Sequence, residues 1–295
     1  MNSAHIPVLL EEVIEYLNLT PSKRFIDATL DGGGHTRAIK ERFPDVQILG
    51  IEWDPEEFAE FRKNNPELAE TIITVNDSYA NLPAIVESNQ FKPDAILFDL
   101  GVSSWHYEAS KRGFSFQKNE PLDMRFNPQT QSLTAAGIIN GWSKGELKRI
   151  MAEFAEEQFA TEIAGAIVAS RSAKPILTTD ELVVVIRQAV PAWYAHRRIH
   201  PATKTFQALR IAVNGELENV RNGVESALDV LQAGGRLAVI SFHGLEDKIV
   251  REIFKTRTAQ GDIKWVKRST IRPKWAEVEK NPRARSAKMK VVEKL

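Results

Sequence analysis

Three carboxylates, Asp27, Glu52 and Asp99, each fall near the end of a short apolar run, and the glycines Gly32, Gly33 and Gly34 follow the first within "FIDATLDGGGHT". Glycines behind a strand let a ligand approach the backbone closely. A phosphate loop ends in Gly-Lys-Ser/Thr, whereas His35-Thr36 follows Gly34, so that chemistry fails here. A dinucleotide fingerprint wants a third glycine where Arg37 stands, which weakens a nicotinamide reading without removing it. Glu52 lies about 20 residues past the loop, where an acid accepts hydrogen bonds from a ribose diol. Asp99 heads "DLGVSS". A crevice rich in acids and free of lysine is a poor phosphate site. It suits a ligand with a ribose and a cationic centre, which favours S-adenosylmethionine over a nucleoside phosphate.

These groups need strands to carry them. Five runs read as buried strands: 24–30, 47–53, 71–76, 94–101 and 235–242. Helical patterns separate the first four; in "WDPEEFAEF", Asp54 can cap and Pro55 suits the first helical position. The alternation predicts a parallel, doubly wound α/β sheet, whose ligands bind beyond the carboxyl ends of the strands. From about Thr134 the pattern is helical, so 106–204 reads as an inserted all-helical domain within a core of 1–105 and 205–295. The run 206–231 reads as one helix returning to the sheet. "LEDKIVREIF" reads as a helix, and "DIKWVKRS" and "SAKMKVVEK" as a closing strand pair.

The 295 residues carry no cysteine, so disulfides and thiolate metal sites are excluded, and a reducing cytoplasm is the expected setting. No apolar run approaches the ~18 residues of a membrane span, and the start lacks a signal-peptide pattern. The net charge of zero hides an asymmetry: residues 248–295 hold 15 Lys/Arg against 5 Asp/Glu. With the acid-free segment 187–210, which carries Arg187, Arg197, Arg198, Lys204 and Arg210, this basic region could grip a polyanion. Trp105, Phe114 and Phe116 are candidate base platforms, although aromatics of an insertion more often form its core. His196 and His200 have zinc-binding spacing, but Pro201 follows and no third ligand is near, so no metal is expected. His243 reads as a satisfied polar contact.

In order along the chain, "HIPVLLEEV", "DATLDGGGH", "FDLGVSS", "RGFSF", "PLDMR", "HPATKTFQALRIAVNGEL", "SFHGLEDKIV" and "NPRARSAK" resemble the RsmH (MraW) family. Its members are bacterial methyltransferases acting on the N4 of a cytosine in small-subunit ribosomal RNA. The resemblance covers essentially the whole chain. It implies a Rossmann-like S-adenosylmethionine-dependent core with a helical insertion. It further implies a cytidine of 16S rRNA, in the decoding region of the small ribosomal subunit, as substrate. The donor would be held by Gly33, Gly34, His35, Glu52, Tyr79, Asp99 and the position of His106. Asp99 would hold the target amine, Ser103 and Ser104 would shape its pocket, and Trp105, Arg197, Arg198, Lys204 and Arg210 would meet RNA.

The chain departs from the family pattern at Asp31 and Ala155, where glycine is common, at Trp105-His106 in place of proline-glutamine, and at Gly244 in place of serine. The alternative reading is a donor-binding ribosome-assembly factor, or a diverged paralogue, with altered or lost methyl transfer. A nicotinamide-linked dehydrogenase is a distant third. The sequence leaves open the nucleotide modified, whether naked RNA or an assembled subunit is the substrate, and whether the protein forms a homodimer.

Overall fold

A computed structural model describes residues 7–295; the His5-Ile6 start of the first motif lies outside the described residues. Contacts divide the chain into two compact units, one running to Gly101 and resuming at Leu217–Leu295, the other Val102–Glu216.

The first unit is built on a seven-stranded sheet. The strands are β1 (Arg24–Asp27), β2 (Gln47–Glu52), β3 (Ile73–Asn76), β4 (Ala95–Asp99), β5 (Arg236–Ser241), β6 (Ile263–Ile271) and β7 (Lys288–Lys294). Their spatial order is β3-β2-β1-β4-β5-β7-β6. The first five are parallel, and β7 runs antiparallel between β5 and β6. Side chains alternate between two buried layers, as a sheet covered on both faces requires. Phe25, Leu97 and Ile240 join the layer with Val13, Leu17 and Ile39. Ile26, Phe98 and Val239 join the layer with Leu82, Val224 and Phe254. The chain winds outward from β1 through β3, then starts again on the other side with β4. The order therefore reverses between β1 and β4, and their carboxyl ends flank the switch-point crevice where open α/β sheets bind ligands.

The second unit is helical apart from one bridge between Pro121 and Thr178. Its core gathers Leu147, Ile150, Ile163, Ile167, Leu182, Ile186, Phe206 and Leu209. Two runs that read as single helices are broken by residues in the left-handed region. Glu156 (φ 50°) separates Lys144–Ala155 from Ala160–Ala173, and Gly215 (φ 60°) separates Ala202–Asn214 from Glu216–Val230. The second break corrects the expected boundary at 204/205. Ala202–Asn214 stays with the insertion, packed on Lys144–Ala155, and only Glu216–Val230 returns to the sheet through Val220, Val224 and Leu228.

The runs "PLDMR" and "RGFSF" have structural work in this unit. Arg125 grips both oxygens of Asp123 at 2.8 and 2.6 Å, while Asn214 accepts from the Phe126 amide and donates to the Met124 carbonyl. Among the described residues no helix is long and apolar enough to cross a membrane.

Candidate active site

The carboxyl end of β1 delivers Asp27 into the crevice. Its Oδ2 accepts from the Thr36 hydroxyl at 2.7 Å, and burial raises its pKa to about 7 despite that bond. The chain then turns through Asp31 and Gly33, both at positive φ (46° and 76°), into the helix Gly34–Arg42. A Cβ on Gly33 would fall 2.4 Å from Phe61 Cε2, whereas one on Gly32 would meet open space. Gly33 is thus fixed by sterics as well as by φ, and the glycine cluster has one indispensable member.

His35 opens this helix and is buried. Its Nε2 lies 3.0 Å from the Val8 carbonyl, which can only accept, so Nε2 carries the proton. Nδ1 faces Asp99 Oδ2 at 3.7 Å. The ring therefore ties the amino-terminal segment to the crevice and presents its other nitrogen to Asp99.

Glu52 ends β2, with each carboxylate oxygen taken by a backbone amide: Oε2 by Asp31 at 3.0 Å and Oε1 by Asp54 at 2.8 Å. Burial, countered by these bonds, raises its pKa to about 7. Asp54 caps the helix Pro55–Asn64 through the amides of Glu56 and Glu57, with Pro55 at the first helical position as the sequence predicts. Oxygens of Asp31, Glu52 and Glu57 lie within 4.8 Å of one another. Burial and the charges of Glu57, Glu52, Asp99 and Asp27 hold the Asp31 carboxyl well above the usual carboxylate range.

Tyr79 lies beyond β3, its ring edge-on to Phe98 at 5.3 Å. Gly223 packs against both rings: a Cβ there would come within 2.6 Å of Tyr79 Cδ2 and 3.2 Å of Phe98 Cε1. Asp99 ends β4, its amide donating to Thr29 Oγ1 at 2.7 Å. Its side chain is 10% exposed, and its Oδ1 is buried with no hydrogen-bond partner. Burial, then the charges of Asp27 and Glu246, raise its pKa well above the ordinary value. A buried carboxylate oxygen without a partner is costly unless a ligand supplies the donor.

In the first unit, Gly33, His35, Glu52, Tyr79 and Asp99 are thus carried on the strand ends and loops of one crevice rim, with Gly34 beginning the helix behind them. The residues fit a donor of the predicted kind: carboxylates for ribose hydroxyls and cationic centres, an aromatic wall, and a glycine turn. Asp31, Glu57, Phe61 and Gly223 lie against these residues and were not among the expected site residues. Only Asp31 carried a signal, as an acid where glycine is usual.

The remaining expected residues lie in the second unit. Ser103 caps the helix Ser104–Glu108 and its Oγ lies 2.8 Å from His106 Nδ1. His106 is buried against Trp105, Phe114 and Phe126. Trp105 carries the Arg112 guanidinium over its ring at 5.3 Å. Phe114 is a core residue stacked on Phe126, and Phe116 stacks on His200, so neither is the open platform considered above. Arg210 is corrected as a phosphate contact: it is largely buried and paired with both oxygens of Glu216 at 2.8 and 3.0 Å. Lys204 donates to the Glu156 carbonyl at 2.7 Å. Arg197 and Arg198 are exposed, the former lying over Tyr194 at 4.9 Å. His243, in the first unit, caps the helix Gly244–Ala259 by accepting from the Glu246 amide through Nδ1, while its Nε2 faces Glu246 Oε1 at 3.0 Å.

Residues 2–295 match the model of the MraW methylase family. The chain belongs to that family. Among its relatives, a protein of Fervidobacterium nodosum is 44% identical, with 100% of this chain and 98% of the relative covered. One of Persephonella marina is 40% identical over 99% of each. One of Dehalococcoides mccartyi is 42% identical over 99% of this chain and 86% of its own. All three bear the name ribosomal RNA small subunit methyltransferase H. The chain is accordingly a methyltransferase of the Rossmann-like, S-adenosylmethionine-dependent kind.

Proposed function

We propose that this methyltransferase acts on the N4 amine of a cytidine in 16S rRNA of the small ribosomal subunit, in its decoding region. The names of its relatives supply the RNA. The observation that favours an amine acceptor is Asp99 Oδ1, buried and in want of a donor at the carboxyl end of β4.

S-adenosylmethionine, when bound, supplies an electrophilic methyl on sulfur. Gly33 and Gly34 admit its methionine end along the backbone, Glu52 accepts from the ribose hydroxyls, and Tyr79 packs on the adenine. Asp99 accepts an N–H of the exocyclic amine, which localises the lone pair on nitrogen. With the donor bound, Asp99 would hold the amine nitrogen toward the methyl group. The surplus N–H proton passes to Asp99 or solvent. Positioning of this kind is worth up to ~7–11 kcal/mol in well-oriented systems. Ser103 and Ser104 follow Asp99 closely in the chain. Trp105, Arg197 and Arg198 contribute to RNA binding from the helical unit, where His106 underpins Trp105.

The test is incubation with methyl-labelled donor and small subunits from a strain lacking the orthologous enzyme, followed by digestion to nucleosides. Label in N4-methylcytidine is the expected result. Label in another nucleoside overturns the cytosine assignment. No label, with adenosylhomocysteine still bound, leaves the donor-binding assembly factor.

A further inference from the structure

The sheet ends in β6, whose outer edge has no strand beside it among the described residues. Residues 263–288, from this strand through the helix Trp275–Lys280 to the turn Pro282–Ser286, hold nine Lys/Arg against Glu277 and Glu279. Lys267, Arg268, Arg272, Lys274, Arg283 and Arg285 are exposed, and Trp275 is 78% exposed, the most open large hydrophobic side chain among the described residues.

The helix Leu10–Leu17 backs both ends of this strip. Lys267 donates to the Tyr16 hydroxyl at 2.9 Å and sits over its ring, while Lys274 lies 3.8 Å from Glu12, one helical turn away. Two of the neighbouring acids are committed within the protein. Glu277 accepts from the Leu9 amide at 2.7 Å and Glu11 pairs with Arg42 at 3.0 Å. Among the described residues no carboxylate pairs with Arg268, Arg272 or Arg285.

Charge along an exposed edge strand has an ordinary purpose, because lysine and arginine there deter edge-to-edge association. Trp275 is what that purpose does not explain. An open indole beside a protected edge invites the association the charges prevent. A flat aromatic ring among unpaired guanidinium groups matches single-stranded nucleic acid instead, which binds by base stacking and phosphate neutralisation together.

We infer that the β6 edge and the helix Trp275–Lys280 form a single-stranded RNA-binding face, with Trp275 stacking on a base and Arg268, Arg272 and Arg285 neutralising phosphates. The inference rests on RNA being the substrate and adds a contact surface on the sheet-bearing unit, apart from the donor crevice.

The test is fluorescence anisotropy of a labelled, unstructured oligoribonucleotide of about 12 residues, within the usual site size of such surfaces. Trp275→Ala should weaken binding roughly 5- to 100-fold, the range of one lost base stack. Trp275→Phe should retain most of the affinity. Arg268→Glu with Arg272→Glu should weaken binding and flatten its salt dependence. Adenosylhomocysteine affinity, unchanged in all three, reports intact folding. Wild-type affinity in both Trp275→Ala and the double variant overturns the proposal. So does an altered sedimentation state with RNA affinity unchanged, which would make the face a contact between copies of the chain. The methyl-label assay reads independently: failure to methylate cytidine leaves a Trp275-dependent RNA affinity standing, and the reverse also holds.

Discussion

The Asp31 amide donates to Glu52 Oε2 at 3.0 Å, from a backbone held at φ 46°. The loop therefore aims its own N–H at the acid that closes β2, and the left-handed conformation makes that possible. Aspartate is among the few residues other than glycine that tolerate the region. The cost is a fifth carboxylate beside Asp27, Glu52, Glu57 and Asp99.

Asp31→Gly should keep the amide bond while removing both the strain and the crowded charge. The variant is expected to melt higher than the parent, with the gain larger at pH 8 than at pH 5. Calorimetry at the two pH values checks this. A lower melting temperature at both would mean that the carboxyl group stabilises the loop.

Asp27 and Glu52 have pKa values raised to about 7, and those of Asp31 and Asp99 are raised as well, burial being the first cause in each case. A carboxyl group whose folded pKa exceeds its unfolded value of about 4 adds stability fully below pH 4. That stability is lost as pH rises through the folded value. The ligand-free protein should melt progressively lower between pH 5 and pH 8. S-adenosylmethionine should restore more of the loss at pH 8 than adenosylhomocysteine does, because only the former carries the sulfonium charge. A flat profile, or equal protection by both ligands, would contradict the acid-crevice account.

Asp99 accepts most strongly from an amine, and can take up its proton, only as a carboxylate, and its pKa lies above the ordinary range. Single-turnover methyl transfer should therefore rise with pH as Asp99 ionises. Asp99→Asn should lower the rate by about 10²-fold or more and abolish that rise. Donor affinity should change far less than the rate. An Asn variant with the parent's rate and pH profile would remove Asp99 from the chemistry.

Gly223 touches Tyr79 so closely that any Cβ must displace the ring. Gly223→Ala is expected to weaken adenosylhomocysteine binding several-fold by calorimetric titration. Gly33→Ala, with its Cβ 2.4 Å from Phe61 Cε2, should cost about 1–3 kcal/mol of stability, in the range of overpacked sites. Gly32→Ala, with nothing near its Cβ, should behave as the parent in both measurements.

The sequence by itself determined the elements and their chemistry. Short, nearly continuous apolar runs marked the five parallel strands, and with them the placing of Asp27, Glu52 and Asp99 at carboxyl ends, because a strand covered on both faces must be continuously apolar. The missing lysine after Gly34 excluded phosphate, and Asp54-Pro55 marked a helix start that forms as read. What the one-dimensional pattern could not carry was contact between residues far apart in the chain. Gly223 shapes the Tyr79 wall across 144 positions, and Phe61 is what makes Gly33 obligatory, yet neither pairing has a local signal. Partnering likewise decided which cations stay available: Arg210 reads like Arg197 in sequence, but folding sets it against Glu216, while Arg268 and Trp275 are left open to solvent. Helix ends at Glu156 and Gly215 depended on single left-handed residues inside otherwise unbroken apolar periods, so the boundary of the inserted unit was settled by packing rather than by periodicity.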